Sequence, residues 1–377
     1  MSPLSRREFL SLAAGAMAAA ASVPRVGATA SPAGPAQSLN ATARARGMRF
    51  GSAMSFAQLS DPRYCELMRT QCGIMVTENA LKWPQTQSGP STFTFGHGDA
   101  LARFAAENGL LLRGHNLLWQ KSRYLPDWVR HYDLGAQPAK TLEKLLYAHI
   151  TTEIKHYPQI VSWDVVNEAI SARTGALRET LFTRDLGPEL IDFCYHCARA
   201  AAPHAQLVYN DYMNWQPYSR AHRDGVLRFL EGLRKRNVPV DALGIQSHIG
   251  ANPRHPDPPL GRPQKMAWRG FLEAVTGLGY GLLITEFDVN DNGLPSEPAL
   301  RDRLIAAYAR DYLDITLSFR ELKDVLTWGL VDKYSWLQHI APRADGTPKR
   351  PLPFDSHYRA TPLYFALAEA LRTAPAR

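Results

Sequence analysis

Short apolar runs alternate with longer amphipathic stretches along most of the chain. The apolar runs are rich in β-branched residues and are bounded by turn-forming residues, which is typical of buried strands. They predict strands near residues 48–54, 73–77, 110–115, 161–166, 206–210, 243–247, 281–286 and 325–329. The amphipathic patterns predict helices in most of the gaps, near 98–108, 140–156, 188–202, 219–236, 266–278, 299–318 and 361–372.

This regular alternation predicts an α/β fold, a single (β/α)8 barrel of the TIM type. No linker or low-complexity segment divides the region. We therefore expect one domain over residues 46–377, and a length of about 330 residues is within the range of such barrels.

The N-terminal residues differ from the rest of the chain. Ser5-Arg6-Arg7-Glu8-Phe9-Leu10 precedes an Ala-rich, mildly apolar stretch, and Ala28-Thr29-Ala30 offers a small-residue cleavage site. This pattern predicts a twin-arginine signal peptide over residues 1–30, and hence export of the folded protein to the periplasm or out of the cell. The alternative, a membrane anchor, is disfavoured because the apolar stretch is short and Ala-rich. Residues 31–45, rich in Ala, Pro, Gly and Ser, predict a flexible tail.

Composition and charge narrow the function classes. The chain is 45% apolar and 21% charged, as in a soluble globular protein with a sizeable core. Its net charge of +8 is spread without a basic stripe, so we expect no nucleic-acid partner. A basic surface could attract an acidic polysaccharide, but charge alone says little about the reaction. We expect a monomer with no membrane span in the mature chain.

The four cysteines are too few for a disulfide scaffold in a domain of this size. Cys194 and Cys197 have a C-x-x-C spacing, but they lie inside a helical pattern and no second pair accompanies them. Buried helix thiols are therefore favoured over a zinc or redox site. We predict no metal and no cofactor.

Polar residues end nearly every predicted strand. They are Glu78 and Asn79, His115 and Asn116, Asn167 and Glu168, Asn210 and Asp211, Gln246 and His248, Glu286 and Asp288, and Trp328 with Asp332. The carboxyl ends of barrel strands meet on one face, which is where active sites form. Helix caps and turns are the alternative, and this alternative suits Asn210 and Asp211. It does not account for the whole set.

Two of these residues, Glu168 and Glu286, end the fourth and seventh predicted strands, on opposite sides of the barrel. Glycosidic bond cleavage needs two such carboxyl groups, one to protonate the leaving oxygen and one to attack or to activate water. A separation of about 5 Å gives retention of configuration, whereas more than about 6.5 Å gives inversion. For either glutamate alone, an ion-paired wall residue is the alternative.

A series of short motifs follows in order along the chain. They are Thr77-Glu78-Asn79 with Lys82-Trp83, Arg113-Gly114-His115 with Leu118-Trp119, Trp163 to Ala169, Gly244 to His248, Thr285 to Asp288, and Trp328-Gly329 with Asp332 to Trp336. Together they resemble glycoside hydrolase family 10, the endo-β-1,4-xylanase family, from about Arg49 to Leu371.

The resemblance implies roles for the central residues. Glu168 would be the general acid/base, and Glu286 the nucleophile of a retaining double displacement. A hydrogen-bond chain Glu286–His248–Asp288 is implied, and it would hold the nucleophile ionised. The pKa values of the two glutamates should therefore be pushed apart.

Sugar binding is implied in the same way. Asn167 and Gln246 would contact the 2-hydroxyl of the sugar being cleaved. The residues implied to bind other parts of the substrate are Glu78, Asn79, Lys82 and His115, with Trp119, Trp328 and Trp336 as stacking surfaces for xylose rings. For Trp83 and Trp163 we favour core packing.

One loop departs from the family pattern. After Trp119 the family usually carries a histidine, whereas this chain has Gln120. The segment Gln120–Leu125 then precedes Pro126-Asp127-Trp128 and is longer than is usual. We expect contacts near the cleavage site to differ for this reason.

The predicted function is an endo-1,4-β-xylanase that acts on xylan or xylooligosaccharides. Within the same class, a β-1,4-glucanase or an aryl β-glycosidase is the alternative, with Trp328 and Trp336 as candidates to exclude the hydroxymethyl group of glucose. A catalytically inactive carbohydrate-binding barrel is a different class, disfavoured because both carboxylates and their partners are present. A metal-dependent barrel hydrolase is disfavoured because no His-x-His pair follows an early strand.

Overall fold

Eight parallel strands form a closed barrel in the computed structural model, which describes residues 38–250 and 261–377. They are β1 (Arg49–Met54), β2 (Ile74–Thr77), β3 (Leu111–Leu118), β4 (Ile160–Asn167), β5 (Gln206–Asp211), β6 (Ala242–Ile245), β7 (Gly281–Asn290) and β8 (Leu322–Thr327). Each strand pairs with the next in chain order, and β8 pairs with β1 to close the barrel. The predicted (β/α)8 fold is confirmed.

Helices connect the strands around the outside of the barrel. They are α1 (Leu39–Arg44), α2 (Pro62–Gln71), α3 (Trp83–Thr86), α4 (Gly96–Glu107), α5 (Asp127–Arg130), α6 (Pro138–His156), α7 (Leu181–Leu186), α8 (Glu189–Ala201), α9 (Arg220–Lys235), α10 (Arg262–Gly277), α11 (Pro298–Thr316), α12 (Leu337–Ile340) and α13 (Pro362–Thr373). Short 3₁₀ turns occupy Phe56–Ser60, Ser122–Tyr124, Pro217–Ser219 and Asp332–Tyr334, and a small hairpin joins Gln87–Gly89 to Thr92–Phe93.

The predicted elements differ from the observed ones in a few places. β3 runs on to Leu118, because Leu118 still pairs with β4, and β8 begins earlier than predicted. Helix α2 has no predicted counterpart, because only Tyr64 and Met68 of its residues are buried and its apolar stripe is narrow. It begins where the Asp61 carboxylate accepts hydrogen bonds from two backbone amides.

Strand side chains alternate between two cores. In β1, Phe50 and Met54 pack against the surrounding helices, whereas Ala53 points into the barrel with Ile74 and Leu326. Trp328 belongs to this inner cluster, at the end of β8. A filled interior of this kind holds the strand ends in fixed positions under the functional face.

The N-terminal boundary differs from the prediction. The proposed signal peptide, residues 1–30, lies outside the described residues, as do residues 31–37 of the predicted tail. The end of the predicted tail is helical, since Leu39 and Ala43 of α1 are fully buried and Ser38 caps the helix. The folded domain therefore includes residues 38–44, which the prediction had placed in the tail.

The two cysteines with the C-x-x-C spacing lie in helix α8. Cys194 and Cys197 are both buried in α8 as free thiols, as predicted, and burial raises the pKa of each.

Among the helices in the described ranges, none is both long enough and apolar enough to cross a membrane.

Candidate active site

The carboxyl ends of β4 and β7 bring the two predicted catalytic glutamates to one face of the barrel. Glu168 directly follows β4, and Glu286 lies near the end of β7. Both are largely buried, with 7% and 5% of their surface exposed. The backbone of Glu168 has φ 56°, a left-handed conformation that is uncommon for a residue with a side chain and that is frequent at functional sites.

A chain of contacts supports Glu286. Nε2 of His248 lies 3.1 Å from Oε2 of Glu286, and Nδ1 of His248 lies 3.0 Å from Oδ1 of Asp288. The short strand His248–Gly250 makes this possible, because it pairs in parallel with the end of β7 and sets His248 opposite Asp288. The indole Nε1 of Trp336 donates a hydrogen bond of 2.7 Å to Oδ2 of Asp288. His248 thus lies in contact with both carboxylates, and the contacts continue from Asp288 to a tryptophan.

The electrostatics of this chain favour an ionised Glu286. Burial opposes the charge, but the hydrogen bond from His248 and the electrostatic influence of His115, His248 and Lys82 together lower the pKa of Glu286 to about 2. Burial likewise opposes the charge on His248, but Asp288 and Glu286 raise the pKa of His248 to about 10. At neutral pH the site thus holds a carboxylate beside an imidazolium.

Glu168 has different partners. Its Oε1 accepts a hydrogen bond of 3.1 Å from Nε2 of Gln246, and its Oε2 forms an ion pair with Nζ of Lys121. Nε of Arg178 donates to the backbone carbonyl of Glu168 at 2.9 Å. Gln246 was predicted to lie near Glu286, whereas its side chain bonds Glu168, and neither Lys121 nor Arg178 was predicted at the site. Lys121 lies in the loop where the sequence departs from the family pattern.

Asn210, at the end of β5, connects Glu286 to Asn167, the residue before Glu168. Its Nδ2 donates to Oε1 of Glu286 at 2.8 Å and to Oδ1 of Asn167 at 3.1 Å. The hydroxyl of Thr285 donates to its Oδ1 at 2.7 Å, which fixes the orientation of the amide. On β6, a Cβ at Gly244 would lie 2.5 Å from Oδ1 of Asn210, so the glycine leaves the space that Asn210 fills.

The sequence interpretation of Asn210 and Asp211 as cap or turn residues is wrong. Both are the last residues of β5, and the N-cap of the next α-helix is Ser219. Asp211 is fully buried, where it lies 3.1 Å from Nε2 of His222 and accepts a hydrogen bond from the Tyr209 hydroxyl. The signal that could have identified Asn210 was its place at a strand end beside the other polar residues.

The residues that follow β2 and were predicted to bind sugar lie close to one another. Nζ of Lys82 donates to Oδ1 of Asn79 at 2.7 Å, and it lies 5.2 Å and 5.8 Å from the ring centroids of Trp119 and Trp328. Burial raises the pKa of Glu78, although Lys82 acts in the opposite direction. The side chains of this group form one wall of the same face.

His115 and two tryptophans lie nearer the centre. Nδ1 of His115 is 2.9 Å from Oδ2 of the buried Asp164 and 4.0 Å from Oε1 of Glu286. The His115 ring meets Trp328 edge-on at 5.3 Å, and the His248 ring lies 4.9 Å from that of Trp336. Trp83 and Trp163, for which core packing was favoured, are 2% and 0% exposed.

This arrangement suits acid/base and nucleophilic chemistry on one bond. One carboxylate is held ionised, a second carboxyl group shares its polar network, and aromatic faces border both. Over the described residues, no group of three or more His, Cys, Asp or Glu side chains is arranged to hold a metal ion.

Comparison with known proteins identifies the family. The model of glycosyl hydrolase family 10 matches residues 38–370. The chain belongs to that family. As a family 10 member it is a glycoside hydrolase, and the family match also begins near the start of α1.

Individual relatives are similar over most of their length. Endo-1,4-beta-xylanase A from Phanerodontia chrysosporium is 32% identical over 337 residues, which cover 88% of this chain and 76% of that protein. The crystal structure of native xylanase 10B from Thermotoga maritima has 32% sequence identity and a TM-score of 0.78, covering 89% of this chain and 98% of that one. Xylanase 10B from Thermotoga petrophila, solved in complex with xylobiose, has 31% identity and the same TM-score of 0.78 over 89% and 97% of the two chains.

Proposed function

We propose that the protein is an exported endo-1,4-β-xylanase that hydrolyses internal bonds of xylan with retention of configuration. The observation that carries the proposal is the contact chain Glu286–His248–Asp288, which holds one carboxylate ionised in a network that also contains Glu168. A relative named endo-1,4-beta-xylanase and a similar xylanase solved in complex with xylobiose support xylan as the substrate.

The proposed reaction has two steps. In the first, the Glu286 carboxylate attacks the anomeric carbon, while Glu168 gives its proton to the glycosidic oxygen and the leaving sugar departs. In the second, the ionised Glu168 removes a proton from water, and the water displaces Glu286 from the sugar. Each step inverts the anomeric carbon, so the two together retain its configuration.

Asn167, Asn210 and Gln246 assist the nucleophile in this proposal. Nε2 of Gln246 lies 3.3 Å from Oδ1 of Asn167, and Asn210 donates to the same atom. Asn210 bonds the Glu286 carboxylate and Gln246 bonds Glu168, so these amides connect the two glutamates through Asn167, and in this proposal the 2-hydroxyl of the bound sugar lies beside them. Hydrogen bonds to that hydroxyl strengthen as positive charge develops on the sugar ring.

Export rests on the N-terminal sequence. The Arg6-Arg7 pair, the Ala-rich stretch and the Ala28-Thr29-Ala30 site support twin-arginine export and cleavage after residue 30. Fractionation of expressing cells tests this, and N-terminal sequencing of the exported protein locates the cleavage site. Export should fail when Arg6 and Arg7 are both replaced by lysine.

The substrate and the stereochemistry are tested together. Purified protein is incubated with xylan and with carboxymethylcellulose, and reducing ends are measured over time. Proton NMR at early times then shows which anomer a xylooligosaccharide releases first. We expect rapid hydrolysis of xylan and initial release of the β-anomer. Faster hydrolysis of carboxymethylcellulose would favour a glucanase, and initial release of the α-anomer would rule out the double displacement.

A further inference from the structure

A lysine from the unusual loop lies against the predicted proton donor. Nζ of Lys121 pairs with Oε2 of Glu168, while Oε1 is engaged by Gln246. The side chains of Lys121 and Glu168 are 18% and 9% exposed. Because both are largely shielded from solvent, screening weakens this pair less than it weakens an ion pair on the open surface.

The surrounding loop fixes the position of Lys121. On one side, Gln120 is fully buried and its Oε1 accepts a hydrogen bond of 3.1 Å from the Thr180 hydroxyl. On the other side, the 3₁₀ turn Ser122–Tyr124 stacks the Tyr124 ring on Trp119. The ammonium group itself lies 5.1 Å from the centre of the Tyr212 ring. The packing of Gln120 and Tyr124 thus places one cation at the carboxylate.

Other charged and titratable groups face Glu168 from the neighbouring loops and strands. They are Lys82 after β2, Tyr124 after β3, Arg178 after β4, Tyr212 after β5, and Glu286 with its partner His248 from β7 and the short strand beside it. Arg178 bonds the backbone carbonyl of Glu168, not its carboxylate. Of the residues that the structure describes, Lys121 is the cation in direct contact with the carboxylate.

We propose that Lys121 is a positioning residue for Glu168, and that its charge sets the upper pH limit of proton donation to the glycosidic oxygen. The proposal rests on the function proposed above. A carboxyl group must carry a proton to serve as the acid, and an adjacent cation favours the charged form instead. The same cation favours the form of Glu168 that acts as the base in the second step. Lys121 therefore favours the second step over the first as the pH rises.

The test replaces Lys121 and follows kcat/KM against pH. Lys121→Met keeps an unbranched side chain of similar length without the charge, and Lys121→Gln keeps a hydrogen-bond donor without the charge. On an unsubstituted xylooligosaccharide, both should move the alkaline limb of the profile to higher pH by about one unit, while Lys121→Arg should leave it near the wild-type position.

A second substrate separates positioning from general damage to the site. A dinitrophenyl xylobioside has a leaving group that departs without protonation, so its profile should lack this alkaline limb in the wild type and in every Lys121 variant. Lys265→Met is the matched control, since Lys265 on helix α10 forms an ion pair of 2.9 Å with Asp311 on helix α11. This control should not move either profile.

The outcomes are distinguishable. An alkaline limb that stays at its wild-type pH in Lys121→Met and Lys121→Gln would overturn the proposal, as would a shift of equal size in Lys265→Met. If the wild-type protein hydrolyses neither substrate, the failure lies with the proposed function and not with Lys121.

Discussion

The two glutamates at the barrel mouth are held by different parts of the chain. Glu286 lies within β7 and is held by His248, from the short strand paired with β7, and by Asn210, from β5. Glu168 follows the end of β4 in a left-handed conformation, and the cation that contacts it comes from a loop. The first is held by residues of the barrel strands, while the second is contacted by a lysine from the loop after β3.

The difference matches what each residue must do. A nucleophile in a double displacement needs its charge whenever the free enzyme meets substrate, so a dense charged network suits it. A residue that acts first as an acid and then as a base must lose its proton and regain it in every cycle. A single cation that can be removed without disturbing the barrel allows this balance to be adjusted.

The largest effect should come from removing the nucleophile. In Glu286→Ala the anomeric carbon has no carboxylate to attack it, so kcat/KM should fall by about 10⁴-fold or more on every substrate. Xylan and a dinitrophenyl xylobioside should be affected alike, because neither leaving group compensates for the lost bond. Release of reducing ends measures the hydrolysis of xylan, and the absorbance of dinitrophenolate measures the hydrolysis of the xylobioside. Residual activity within tenfold of wild type would contradict the assigned role.

Glu168→Ala should separate the two substrates. On xylan the leaving oxygen needs a proton, so the rate should fall by about 10²- to 10⁴-fold. With the dinitrophenyl xylobioside the first step needs no acid, and a burst of dinitrophenolate should precede a slow second step. Stopped-flow absorbance resolves the burst. Equal losses on both substrates, without a burst, would exclude an acid/base role.

These assignments show what the sequence made visible. The strands were predictable because each carries a compact apolar run, and the two glutamates stood out because each ends such a run. Helix α2 was missed because it buries little of its surface. The contact of Lys121 could not be predicted, since a lysine in a lengthened loop has many possible directions and only the packing of Gln120 and Tyr124 selects one.

His248→Asn should weaken the nucleophile without removing it. The variant loses the cation and the hydrogen bond that lower the pKa of Glu286, while burial still acts to raise it. The pKa of Glu286 should therefore rise, and the acidic limb of kcat/KM should move to higher pH by about one unit or more. Lys121→Met should instead move the alkaline limb, so the two variants test opposite sides of the site.

The pH profile must be measured on the dinitrophenyl xylobioside as well. The acidic limb reports the ionisation of Glu286, which both substrates need. It should therefore shift on the dinitrophenyl xylobioside as much as on a xylooligosaccharide. A shift confined to the xylooligosaccharide would assign the effect to proton donation and would contradict the contact chain through His248. Circular dichroism of the variant excludes a general loss of fold.

The smallest effect should come from replacing Asn210, which bonds both Glu286 and Asn167. Asn210→Ala removes a donor from Glu286 and leaves the Thr285 hydroxyl without its partner, at a cost of about 1–3 kcal/mol. If that cost falls on the transition state, kcat/KM drops by roughly 10- to 100-fold. Both substrates should lose activity, because the contact that is lost belongs to the nucleophile.

Gly244 provides an independent way to displace the same amide. A methyl group there would lie 2.5 Å from Oδ1 of Asn210, so Gly244→Ala should force the amide away from Glu286. Gly270→Ala is the matched control, since no atom lies within 4 Å of a Cβ at that position. The double variant of Asn210 and Gly244 should be little worse than Asn210→Ala alone, because both changes break one contact. Additive losses would mean that a methyl group at residue 244 acts by another route than displacing the Asn210 amide.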